Sequence, residues 1–276
     1  MITGSNSGIG KATAVALARM GASVVMVCRD GVRGEAARQE IVASSGAKDA
    51  QVVLMLADLA SLDSVRSLAA QFLATGGRLD VLINNAGLIL GRRTVTREGL
   101  ETTFVVNYLS HFLLTNLLLQ RIEAAAPSRI INVTSNASAS AHMHFDDLQL
   151  ERGYSAIKAY GQSKLAQILF TRELARRLQG TGVTANCVHP GVVATNWGRR
   201  SAGPFGFVLK IGSPFMMSPE KGAETSVYLA SSPDVADVTG RYFVKKREAS
   251  ASSEATDDAA AARLWEASLA LSGLSG

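Results

Sequence analysis

Cysteine is scarce in this chain: there are two in 276 residues, Cys28 and Cys187. Each closes a short apolar run, so each reads as a buried thiol. Two cysteines provide neither a disulfide framework nor a metal cluster, which fits a reducing cytoplasm. Long apolar runs are lacking as well. No segment approaches the ~18 residues of a membrane span, and the N-terminus has no charged-then-apolar signal segment. These absences predict a soluble, cytoplasmic protein without a membrane span. Charge of one sign is not concentrated either. The formal net charge is +5, but the basic residues are scattered apart from short clusters such as Lys245-Lys246-Arg247. Nucleic-acid binding needs a basic stripe or patch, so no nucleic-acid partner is expected. His142 and His144 share a loop with no third ligand nearby, and no metal site is expected. No Pro/Gly/Ser-rich linker divides the chain, so residues 1–276 read as a single domain.

Core material is plentiful, with 47% apolar and 18% charged residues. The pattern alternates. Short β-branched apolar runs occupy residues 23–28, 51–57, 81–84, 129–133 and 184–188, with a further one at 240–244. Between them lie helical patterns at 10–20, 34–44, 62–74, 100–124 and 159–178. Continuous apolar strands alternating with helices of this length mean βαβ units and a parallel sheet buried on both faces. Right-handed crossovers then give an α/β fold, a Rossmann-type doubly wound sheet in three layers. Two regions break the rhythm. Residues 196–218 mix Gly, Pro and large apolar groups such as Trp197, Phe205, Phe207, Phe215, Met216 and Met217, and read as a substrate lid. Residues 248–262 are low-complexity and polar, and read as an exposed connection. The helical spacing that follows should dock Trp265 and Leu269 on the core. At the start, only Met1 and Ile2 precede the first turn, so the first strand is clipped or the true start lies upstream.

The opening TGSNSGIGKAT is a Gly-rich turn leading into a helix, an arrangement that points backbone N–H groups at a phosphate. Spacing excludes three familiar motifs. A Walker loop would need Gly where Ser5 stands and Ser or Thr at Ala12. A nucleophile elbow would need Ser where Asn6 stands. The strict dinucleotide fingerprint fails at Thr13. What remains is Gly4-x-x-x-Gly8-Ile9-Gly10.

That turn, Asn84-Asn85-Ala86-Gly87, Asn107, Ser135, Tyr160-x-x-x-Lys164 and Pro190-Gly191-x-x-x-Thr195 occur in order along the chain. Together they resemble the short-chain dehydrogenase/reductase family over essentially the whole length. Within it, the CRD after the second strand, residues 162–183 and the closing RLWEASLALSGL are most like the retinol dehydrogenase and WW-domain oxidoreductase branch. The resemblance implies that Gly4, Ser5, Asn6, Ser7, Gly8, Ile9 and Gly10 cradle the phosphates of a dinucleotide. It implies that Asp58 and Leu59 flank the adenine, Asn85, Ala86 and Gly87 the adenosine ribose side, and Pro190, Gly191, Val193 and Thr195 the nicotinamide. It also implies a small-molecule carbonyl or alcohol substrate and a homodimer or homotetramer.

Asp30 stands about 20 residues after the glycines, where an acid can bind the ribose 2′-OH of NAD. The family's selecting acid, however, falls at Cys28, and Arg29 follows. A guanidinium there can pair with a 2′-phosphate, so NADP(H) is the expected cofactor, with NAD(H) the alternative. His189 reads as a satisfied rather than a catalytic histidine.

Free tyrosine has a pKa near ~10. By resemblance, Tyr160 is the acid–base group, and Lys164, one turn on, together with the oxidised nicotinamide lowers its pKa and holds the nicotinamide ribose. Ser135 would hold the substrate oxygen, and Asn107 would support a water relaying protons to Lys164. A second Tyr-x-x-x-Lys, Tyr154/Lys158, competes in the same stretch. Register favours Tyr160, which lies 30 residues before Pro190, and Tyr154 becomes a pocket-rim residue. The 25-residue gap from Ser135 to Tyr160 contains an added segment that forms part of that rim. The expected activity is NADP(H)-dependent interconversion of a lipophilic carbonyl and its alcohol. The rival is a catalytically idle NADP(H)-binding regulator, against which the intact quartet Asn107, Ser135, Tyr160 and Lys164 argues.

Overall fold

The computed structural model describes residues 1–191 and 217–274. Its strands are β1 (Ile2–Thr3), β2 (Val24–Cys28), β3 (Val52–Leu56), β4 (Val81–Asn84), β5 (Ser128–Val133), β6 (Val183–His189), β7 (Tyr242–Val244) and β8 (Arg247–Glu248). They form one sheet in the order β3-β2-β1-β4-β5-β6-β7-β8. The first seven run parallel, as the alternating pattern requires. β8 departs from that expectation and pairs antiparallel with β7. Lys245 and Lys246 make the turn with φ of 51° and 62°. A two-residue turn of this left-handed kind can only return the chain antiparallel. The expectation of burial on both faces also fails at the opposite edge, where Val53 and Leu56 of β3 are half exposed.

β1 is as short as the sequence implies, yet it pairs on both sides, with Ile2 opposite Met26 and Ile83. The Gly4 N–H extends the pairing to the Val27 carbonyl at 2.8 Å.

The helices are α1 (Gly8–Arg19), α2 (Gly31–Ser45), α3 (Leu62–Ala74), α4 (Thr102–Glu123), α5 (Ala156–Arg177), α6 (Pro219–Ser231) and α7 (Asp258–Ser272). α1, α2 and α6 cover one face of the sheet, and α3, α4, α5 and α7 cover the other. Most starts are set by side-chain caps: Asp30 accepts from Arg33 N, Ser61 from Ser64 N, Ser155 from Lys158 N and Ser218 from Lys221 N. α4 qualifies as a membrane span by length and composition, against the sequence-based expectation, but 78% of its apolar window is buried inside the protein. A helix that is apolar all round is a core helix in such a setting. Its middle, Val105–Leu109, widens into a π-helical turn.

Residues 248–262 are not simply an exposed connection. Glu248 belongs to β8, Ala255 is fully buried, and α7 begins at Asp258 under an Asp257 cap. The alanine-rich run that looked featureless is good helix material. Trp265 docks as expected. It meets Phe112 edge-on with ring centroids 5.0 Å apart, while the Arg177 guanidinium covers its ring at 4.2 Å. Leu269 packs against the same core. The expected lid at 196–218 lies outside the described residues except for Met217 and Ser218.

Candidate active site

The strand order reverses between β1 and β4, and ligands of open α/β sheets bind beyond the C-terminal ends of strands at such a point. The chain leaving β1 runs Gly4–Gly10, with Gly4 and Gly8 at positive φ. A Cβ on Gly10 would lie 2.5 Å from both Asn85 Nδ2 and the Gly4 carbonyl oxygen. No side chain fits there, so the turn closes tightly over the helix start. Ser7, the N-cap of α1, makes no side-chain cap hydrogen bond, and the first turn carries no acid. The leading N–H groups and the positive helix end are thus left for an anion. This fits the phosphates of a dinucleotide. Ser5 contributes only backbone to such a cradle, because its buried hydroxyl donates to the Ile2 carbonyl at 3.0 Å. Asn6, Ser7 and Ile9 are partly exposed on the turn.

The chain leaving β4 is locked to this turn. Thr3 Oγ1 accepts from the Asn85 and Ala86 N–H groups at 2.9 and 3.0 Å, and Asn85 Nδ2 donates to the Thr3 carbonyl at 2.8 Å. At the end of β2, Arg29 is exposed. Asp30 is exposed, and its Oδ1 accepts the Arg33 N–H at 3.0 Å as the cap of α2. Arg33, which sequence reasoning passed over, lies near enough for its charge to act on the Cys28 thiol. Asp58 is half-buried and its carboxylate accepts from Ala60 N at 3.0 Å. Leu59 is buried in the core beside it.

Helix α5 carries Tyr160 and Lys164 to the end of β5. Lys164 is almost wholly buried and donates from Nζ to the Val133 carbonyl at 2.9 Å and to Gln167 Oε1 at 3.0 Å. The same Nζ sits 5.7 Å from the Tyr160 ring centroid. It also lies 3.5 Å from where a Cβ on Gly87 would stand, so the bare backbone of Gly87 borders the lysine. Tyr160 is hydrogen-bonded to Ser135. Ser135 itself caps a short 3₁₀ turn, accepting from Ala137 N at 3.3 Å. His189 is satisfied, as expected. Its Nδ1 accepts from Asn136 N at 3.2 Å, which anchors the turn that carries Ser135. Burial holds its pKa below the ordinary histidine value.

Two features of the protein alone bear on the expected roles of Tyr160 and Asn107. Burial pushes the Tyr160 phenol up, with the Ser135 hydrogen bond pulling the other way, and burial lowers Lys164 to about 7. Desolvation therefore dominates at the phenol in the protein alone, without the positive charge of an oxidised nicotinamide. Second, the Asn107 side chain is committed to the protein. Nδ2 donates to the Leu88 carbonyl and to Ser163 Oγ, each at 2.9 Å, and Oδ1 accepts from Leu88 N at 2.7 Å. It ties the chain after Gly87 to α5, from within the π-helical turn. Only its backbone carbonyl remains for other partners, and His111 Nδ1 faces that oxygen at 3.2 Å.

Tyr154 and Lys158 are not brought into this cluster. Tyr154 precedes the Ser155 cap of α5, and its hydroxyl donates to the Leu90 carbonyl at 2.9 Å. The added segment is pinned by Gln162, which accepts from His144 N and donates to the Leu148 carbonyl, and by Glu254, which pairs with His142 at 2.7 Å. Among the described residues no His, Cys, Asp and Glu cluster could hold a metal. Pro190 and Gly191 end the first described stretch, and a Cβ on Gly191 would overlap Met217 Cε. Val193 and Thr195 lie outside the described residues. Sequence reasoning missed Thr3, His111 and Gln167, all buried polar groups beside the cluster. Helical spacing was the signal that could have found the last two, since Gln167 is one turn from Lys164 and His111 one turn from Asn107.

The family model for short chain dehydrogenases matches residues 1–202. The chain belongs to the short-chain dehydrogenase family. Its similar relatives include retinol dehydrogenase 14 of Mus musculus, 47% identical over 99% of this chain and 85% of the relative. Retinol dehydrogenase 13 of Homo sapiens is 45% identical over 99% of this chain and 84% of the relative. The chain thus sits in the retinol dehydrogenase-like branch, and it is an oxidoreductase acting on CH–OH donors with a nicotinamide cofactor. Among solved structures, an uncharacterised protein from Mycobacterium paratuberculosis superposes with a TM-score of 0.78 at 35% identity, covering 99% of this chain and 92% of that one. The RhlG/NADP active-site complex of Pseudomonas aeruginosa superposes with a TM-score of 0.69 at 28% identity, over 88% of this chain and 92% of that one.

Proposed function

We propose that this short-chain dehydrogenase interconverts a lipophilic alcohol and its aldehyde or ketone with NADP(H), with Tyr160 as the acid–base group. The observation that carries the proposal is the meeting of Ser135, Tyr160 and Lys164 beyond the end of β5, beside the bare backbone of Gly87. A bound nicotinamide supplies or accepts the hydride. The Ser135 hydroxyl holds the substrate oxygen, and Tyr160 gives or takes its proton. The Lys164 ammonium, one turn away, favours the phenolate.

Preference for NADP(H) is supported by the exposed Arg29, by the engagement of Asp30 as a helix cap, and by the second guanidinium at Arg33. A fork of guanidinium donors suits a 2′-phosphate. The names of the similar relatives support a retinol-like substrate class. The test is a panel of retinoid and other long-chain alcohols and aldehydes with each cofactor, followed by NAD(P)H absorbance. Turnover with NADPH that Tyr160→Phe removes supports the proposal. A protein that binds NADPH and never oxidises it with any carbonyl would sink it.

A further inference from the structure

Helix α5 carries a second buried polar side chain one turn beyond Lys164. Gln167 is fully buried, and its Oε1 accepts from Lys164 Nζ at 3.0 Å. Its Nε2 lies 3.3 Å from Nδ1 of His111, a fully buried residue of α4. His111 Nε2 is 3.1 Å from Thr3 Oγ1, which accepts the Asn85 and Ala86 N–H groups. A continuous chain of buried polar groups therefore runs from the lysine, through an amide and an imidazole, to the turn beyond β4.

Buried amides are kept satisfied or they cost stability, and this one has a proton inventory tied to its neighbours. With Oε1 on the Lys164 ammonium, Nε2 points at His111 Nδ1. That Nδ1 also faces the Asn107 carbonyl at 3.2 Å, so a bare Nδ1 accepts from the amide and a protonated one donates to the carbonyl.

We propose that Gln167 is a positioning residue, whose amide oxygen holds the Lys164 ammonium in place and sets how readily it gives up its proton. The catalytic meaning of this rests on the reading that Lys164 serves Tyr160. The groups facing Lys164 come from every element around it. α4 brings His111 and the Asn107 side chain, β5 the Val133 carbonyl, the turn after β4 the backbone of Gly87, and α5 itself Tyr160, Ser163 and Gln167. His111 stays uncharged, since burial and the lysine's charge together lower it to about 3. Among the described residues Lys164 has no carboxylate partner, so its ammonium relies on two neutral oxygens, those of Val133 and Gln167. Losing one of them lets burial act with less opposition.

The test follows Lys164 directly in the full chain without substrate, by NMR of protein labelled at the lysine ε-carbon, with the resonance assigned by its loss in Lys164→Arg. Gln167→Leu should lower the Lys164 titration midpoint by roughly one pH unit and move the alkaline limb of kcat/KM the same way. Gln167→Glu should move both upward, and it carries the test alone if the leucine variant does not fold. Midpoints equal to the wild type in folded variants would overturn the positioning role, whatever the activity. A shifted midpoint in a protein that reduces no carbonyl would instead leave that role standing and remove the proposed function.

Discussion

The two ends of the site are built in opposite ways. The phosphate turn is made of backbone: glycines at Gly4, Gly8 and Gly10 and an uncapped helix start, with Ser5 turned inward to the Ile2 carbonyl. The end around Tyr160 is made of side chains, with Lys164, Gln167 and Asn107 buried and Ser135 and Tyr160 partly exposed. Backbone donors keep their chemistry wherever the turn forms. Side-chain acids and bases do not, because burial resets their pKa values. The first end should therefore respond to shape, and the second to charge and hydrogen bonding.

The largest expected effect is at the side-chain end. Tyr160→Phe should cost about 10²–10⁴-fold in turnover with the fold intact by circular dichroism, while Tyr154→Phe changes it only within a few-fold. Equal losses from the two would erase the distinction between the paired tyrosine and the one bound to Leu90. At the backbone end, Gly10→Ala drives a methyl toward Asn85 Nδ2 and the Gly4 carbonyl. Overpacking of this kind costs roughly 1–3 kcal/mol, so NADPH affinity measured by fluorescence titration should fall by about 10–100-fold. An unchanged affinity would mean that the turn is not a tight cradle.

Arg29→Ala should lower the NADPH-over-NADH preference by about 10-fold, the scale of one charge-assisted hydrogen bond, with NADH affinity unchanged. Next comes pH. Burial lowers Lys164 from 10.5 to about 7. Between those values the unfolded chain binds the proton that the folded protein has lost, so this group makes stability rise with pH across that window. Melting temperature plotted against pH should show a flatter rise for Lys164→Met than for wild type. An identical slope would place the lysine in a more solvated setting. The smallest effect belongs to Asp30. Removing its cap on α2 with Asp30→Ala should cost about 1 kcal/mol of stability in a denaturant titration and leave cofactor preference alone. A swing in NADH affinity would return that carboxylate to the ribose.

Much of this contrast was legible in residue order. The Gly-rich turn, the βαβ alternation and the Tyr160/Lys164 register follow from local spacing, and the parallel sheet with helices on both faces has the expected plan. The failures were of two kinds. β8 escaped notice because Lys245-Lys246 lacks the Asn-Gly signature of a left-handed hairpin turn. Residues 248–262 read as an exposed connection because low complexity and helix propensity look alike in an alanine run. Asn107 was legible as a neighbour of the lysine, but its side-chain partners were not. The π-helical turn that aims it at Leu88 and Ser163 has no sequence signature.

By itself, then, the sequence determined the fold class, the Gly-rich turn and a lysine four residues after Tyr160, since all three depend on residue order along the chain. The tertiary structure decided what those residues experience. Only packing joins Lys164 to Gln167, His111 and Thr3, spends Asp30 on a helix cap, and raises the phenol while lowering the amine. Those outcomes depend on desolvation and on partners up to 108 residues apart, such as Thr3 and His111. No local pattern encodes a dielectric environment, which exists only once the strands and helices have closed around the site.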